Sequence, residues 1–170
     1  MNEPAFRILS ATDQIRTARI GNLFAVRWLA VPTEAVLDTV RAEVEQAATK
    51  HDGLIYCGVS DHRASGHQSE AVKKMMVRST SEIIKRVAEF HLVLAGSTPT
   101  ARLTRSIYRA MVVGMRASGK ILDYDLGAHA RKVEVHETSD AFLVRLKERA
   151  GVPSSRVRQE LSQGLLLEDS

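Results

Sequence analysis

The chain reads as a single α/β domain in which a mixed β-sheet is flanked by about four helices. Three observations lead there. Short apolar runs alternate with amphipathic helical stretches from residue 23 to residue 149. Three of the runs, 23–31 (LFAVRWLAV), 54–59 (LIYCGV) and 90–95 (FHLVLA), are almost continuously apolar, as strands covered on both faces are. Ile20-Gly21-Asn22-Leu23 sets turn chemistry between two apolar segments, which predicts a hairpin at the start of the domain.

Taken in order, the first strand material occupies residues 6–12 and 15–31. Pro32-Thr33-Glu34 then opens a helix to about Lys50, in which Val36, Val40, Val44 and Ala47 recur at helical spacing as one buried stripe. Asp52-Gly53 closes it and the strand 54–59 follows. A polar loop over 60–68 contains Gly66. The second helix spans about 69–87, with Val72, Met75, Met76, Ser79, Ile83 and Val87 on one side. After the strand 90–95, Gly96-Ser97-Thr98-Pro99 supplies a turn and a helix start. A third helix covers about 100–117 and ends at Ser118-Gly119. Residues 133–136 form a short strand, and Ser139-Asp140 caps a last helix through about Arg149. Gly151-Val152-Pro153 marks the domain edge, so 1–150 is the domain and 151–170 a C-terminal extension, helical or disordered. Val157, Leu161 and Leu165 there fit either a docking stripe or a segment that folds back.

Composition bounds the function. The 170 residues are 44% apolar and 26% charged, ordinary for a globular protein with a real core. The net charge of +4 permits an acidic partner without requiring one. Cys57 is the single cysteine, which excludes an intramolecular disulfide and a cysteine-based zinc cluster. No run approaches the roughly 18 apolar residues of a membrane span, so no membrane insertion is expected. The first residues carry no basic stretch followed by an apolar one, and a cytoplasmic protein is the expectation.

This order of elements resembles the STAS-like and Sec14-like α/β family, which includes small bacterial stand-alone domains related to anti-sigma-factor antagonists. The resemblance covers roughly 6–149 and is clearest in FHLVLAG, the arginine-bearing helix after it, and VEVHETSDAFLVRLKER. Ser139, Asp140 and Ala141 stand where the family has an acidic or small residue and alanine. The resemblance implies a non-enzymatic regulatory or scaffold protein working through protein–protein contacts. Family antagonists carry a phosphorylatable serine in Asp-Ser-Ser-Gly after the strand that 54–59 resembles. Here the segment is Asp61-His62-Arg63-Ala64-Ser65-Gly66, in which Ser65-Gly66 fits while Arg63 and Ala64 replace the family's Asp and Ser. The resemblance thus offers Ser65 as a phosphosite, with Asp61, His62 and His67 as loop contacts; the bland alternative gives Ser65 and Ser69 loop and cap geometry. The Sec14 side implies a different class, a small-molecule or lipid-binding module, which needs an apolar cavity.

The third helix carries Arg102, Arg105, Arg109 and Arg116 at spacings of 3, 4 and 7, with Leu103, Ile107, Ala110, Met111 and Gly114 as the opposing apolar face. The arginines are either a binding stripe for an acidic partner surface or a solvated face with local ion pairs. Aromatic interleaving and nucleic-acid-binding motifs are missing, which argues against nucleic acid. The six histidines show neither His-x-x-x-His nor His-x-His spacing, so no metal site and no cofactor are expected. A nucleophile reading would join Cys57 or Ser65 to His62 and Asp61, with His91 or His136 brought in by the fold. Cys57 as a small buried hydrophobe is the favoured role, and the expectation is no enzyme. The chain is expected to bind an acidic protein partner, with a homodimer left open.

Overall fold

Gly21 adopts φ 56°, a conformation that glycine reaches without strain, and it turns the chain between two strands of the predicted hairpin. In the computed structural model, which describes residues 6–60, 68–147 and 159, this turn joins β2 (Ile15–Ile20) to β3 (Leu23–Trp28). With β1 (Phe6–Ala11) they form an antiparallel meander. Then come α1 (Glu34–Lys50), β4 (Ile55–Ser60), α2 (Glu70–Arg86), β5 (Glu89–Val93) and α3 (Pro99–Ser118). A small hairpin of β6 (Lys120–Ile121) and β7 (Tyr124–Asp125) and a 3-10 turn (Gly127–Lys132) lead to β8 (Val133–His136) and α4 (Ser139–Lys147). The α/β class with a mixed sheet is therefore observed, with four α-helices given bounds among the described residues. Asp61, His62, Ser65 and His67, and the extension from 151 apart from Gln159, lie outside the described residues.

The six-stranded sheet runs β1-β2-β3-β4-β5-β8, antiparallel over its first three strands and parallel from β3 onward. The order never reverses, so right-handed crossovers bring α1, α2 and α3 to one face. Among the described residues the strand order contains no topological switch point. Hydroxyl caps start each of these helices: Thr33 accepts from Val36 N–H, Ser69 from Val72 and Thr98 from Ala101.

Strand alternation sorts the core into two faces. Under α1–α3 lie Ile15, Phe24, Val26, Tyr56, Phe90 and Val133, packed with Val40, Val44, Ile83, Ile84, Val112 and Met115. Phe24, Tyr56 and Phe90 are cross-strand partners and stack with ring centroids 6.2 and 4.6 Å apart. The opposite face carries Ala25, Cys57, Val59 and Val93 against Phe142, Leu143 and Leu146 of α4.

The third helix is turned differently from its simplest sequence pattern. Tyr108, Val112 and Met115 face the sheet, whereas Leu103, Ile107 and Met111 are exposed at 63%, 51% and 40%. The reason lies in two of its arginines. The Arg105 guanidinium donates to the carbonyls of Leu94 and Gly96, at 2.9 and 2.6 Å, and that of Arg116 donates to the Val133 carbonyl. These bonds satisfy strand-end carbonyls and hold the arginine side toward the sheet.

Candidate functional site

Two places in the described structure depart from a plain packed core. The first is the outer surface of α3. Leu103, Ile107, Ala110, Met111 and Gly114 follow helical spacing and share one exposed stripe, with Val113 exposed beside it. Of the four predicted binding arginines, Arg105 and Arg116 are engaged with backbone carbonyls, and Arg109 pairs with Glu137 at 2.8 Å. Arg102 is exposed at the edge of the stripe. The arginine set is thus split: two members position the helix, and two stand on its rim.

Beside the stripe, Met76, Val77 and Thr80 of α2 and Tyr108 and Met111 of α3 border an apolar hollow of about 90 Å³, with Phe90 and Leu92 among its walls. That is well below the roughly 300 Å³ at which small-molecule pockets begin. A larger hollow of about 480 Å³ opens between α1 and α2, but Glu34, Asp38, Arg41, Lys74 and Arg78 line it. Neither is the apolar cavity that a lipid ligand needs.

The second place is a polar cluster on the α4 face. Glu89 and His91 of β5 are two residues apart, as are Glu134 and His136 of β8, so each pair projects from one side of its strand. Parallel pairing of His91 with Glu134 and of Val93 with His136 then brings the two pairs together. His91 Nδ1 lies 2.9 Å from His136 Nε2, and Glu134 Oε2 lies 4.0 Å from each of those nitrogens. His91 Nε2 faces Glu89 Oε2 at 3.0 Å, and Arg145 of α4 donates to Glu134 Oε1 at 3.2 Å. The Phe142 ring caps both imidazoles, with centroids 5.2 and 5.7 Å away.

Burial pushes both imidazoles below the ordinary histidine range; the Glu89 hydrogen bond opposes this at His91, while the neighbouring His91 adds to it at His136. Burial alone would raise Glu134, but Arg145 and the two imidazoles outweigh it and hold the carboxyl below its usual value. Cys57 is the cross-strand neighbour of His91, yet burial pushes its thiol up, which suits an inert packed cysteine rather than a thiolate nucleophile. Histidine spacing along the chain predicts no metal site. The structure instead assembles two histidines, 45 residues apart, with a carboxylate. The sequence signal for it, which His-x-His spacing does not capture, is the repeated Glu-x-His of residues 89–91 and 134–136 in two otherwise apolar strands.

No protein-family model matches the chain, and no curated protein does. Among solved structures, Pseudomonas aeruginosa DspI is similar at 14% identity and a TM-score of 0.43, over 94% of this chain and 90% of that one. So loose a likeness carries neither a fold assignment nor a functional one.

Proposed function

We propose that this chain is a non-enzymatic regulatory or scaffold domain of STAS-like kind that acts in the cytoplasm by docking a protein partner on α3. The observation that supports it is the exposed stripe of Leu103, Ile107 and Met111, which reaches the apolar hollow beside α2 through Met111. Contiguous apolar surface of this kind is kept out of water by a partner. The partner chemistry follows from charge. The α3 helix carries four arginines and no acidic residue, and Lys73 and Lys74 stand on α2. The favoured occupant is an amphipathic helix with apolar anchors at i, i+3, i+4 and i+7 and acidic residues along its flank. A symmetric homodimer through α3 would bring two basic helices without an acidic residue together, so a second copy is the disfavoured occupant. Phosphorylation at Ser65 remains part of the reading as a regulatory input from the STAS-like resemblance.

The test compares wild type with Leu103→Glu/Ile107→Glu and with Arg102→Glu, each immobilised as bait for affinity capture from native lysate, and each purified for light scattering. An acidic protein that wild type retains, the double variant loses and Arg102→Glu binds more weakly supports the reading. Equal capture by all three sinks it. A wild-type dimer that becomes monomeric in the double variant reassigns the stripe to self-association.

A further inference from the structure

We propose that His91 Nδ1, His136 Nε2 and Glu134 Oε2 form a binding site for a divalent first-row transition metal of the zinc class. This goes beyond the docking function and rests on none of its residues. The geometry carries it. The three atoms define a triangle with sides of 2.9, 4.0 and 4.0 Å. The point in their plane equidistant from all three lies about 2.1 Å from each, the length of zinc–imidazole and zinc–carboxylate bonds, and side-chain shifts of about half an ångström would even the three separations and lift the ion toward four-coordinate geometry. Two imidazoles and one carboxylate form a borderline donor set that suits zinc and its neighbours and disfavours magnesium or calcium.

The surrounding groups match what such a centre needs. A ligating imidazole holds its orientation by donating its second N–H to a carboxylate, and His91 Nε2 is placed to do so to Glu89. That tautomer leaves a lone pair on Nδ1 with which to bind a cation. The second oxygen of Glu134 accepts from Arg145, which fixes the carboxylate and ties α4 to the site. His91 and His136 have side chains only 2% and 10% exposed, whereas Glu134 is 28% exposed, so the cation enters past Glu134 and water fills the fourth position. With Phe142 across both rings, the bound metal clasps β5, β8 and α4 together. The competing arrangement is a proton relay, in which His136 Nε2–H donates to His91 Nδ1 and His91 Nε2–H to Glu89, with no place for a cation.

The experiment titrates the tag-free full chain with zinc chloride by calorimetry and with cobalt(II) by visible absorption. Wild type is expected to bind one ion per chain, to give the intense d–d bands of four-coordinate cobalt, and to melt at a higher temperature with zinc. Glu134→Gln and His136→Gln are expected to weaken binding by at least about 100-fold, and Glu89→Gln by about 10- to 100-fold. His51→Gln, outside the cluster, is expected to bind as wild type does. Should His136→Gln fail to fold, the partly exposed Glu134→Gln decides. No one-to-one binding by wild type, or equal binding by wild type, Glu134→Gln and His136→Gln, overturns the proposal in favour of the relay.

Discussion

The two faces of the sheet are built from the same strands and solve different problems. Beneath α1, α2 and α3 the strands offer Phe24, Tyr56, Phe90 and Val133, an apolar surface with an aromatic stack through its centre. The face beneath α4 offers Glu89, His91, Glu134 and His136 at the β5–β8 end, with one short helix, Phe142 and Arg145 above them. The first face contributes hydrophobic burial, which is non-directional and tolerant of detail. The second holds directional contacts whose value depends on every partner being in place. Both faces bury an apolar core, and the second sets a directional polar cluster at its β5–β8 end.

The largest effect expected is on the first face. Phe24→Ala removes a fully buried ring from the stack and is expected to cost about 3–5 kcal/mol, read as a lower urea midpoint. Phe142→Ala is expected to cost no more than that, yet it uncovers the imidazoles. Under conditions in which both variants are folded, carbethoxylation of His91, followed by mass spectrometry, is expected to accelerate in Phe142→Ala alone. Acceleration in both variants would mean that the two faces are coupled, and the contrast drawn here would fail.

Two smaller predictions concern the arginines of α3. Arg105→Ala leaves the carbonyls of Leu94 and Gly96 without their charged donor and is expected to cost about 1.5–3 kcal/mol in urea unfolding. Arg109→Ala breaks an exposed pair with Glu137 and is expected to cost about 0.2–1 kcal/mol, falling further in salt. Equal costs would show that α3 is held by its surface charges rather than by its bonds to strand ends.

Much of the first face was legible in the sequence. Val40, Val44 and Ala47 recur at helical spacing, and the apolar runs named β3, β4 and β5 directly. The orientation of α3 was not legible, because a one-dimensional pattern ranks leucine as inward and arginine as outward. Only the folded chain shows strand-end carbonyls within reach of Arg105 and Arg116. The hairpin and 3-10 turn over 120–132 were also missed, since Leu122 takes φ 49° without a glycine to announce it. The histidine cluster depends on which strands pair. His91 and His136 meet because β8 adds next to β5, a long-range choice that spacing within either strand does not encode.

The central claim is that the exposed stripe of α3 is a working surface. The direct measurement replaces Ile107 with a photoreactive phenylalanine analogue, irradiates native lysate, and compares the products with those from the same residue at Thr39 on α1. The account predicts a discrete adduct with one acidic protein from position 107 and none from position 39. The same products from both positions, or no adduct from either, would contradict it.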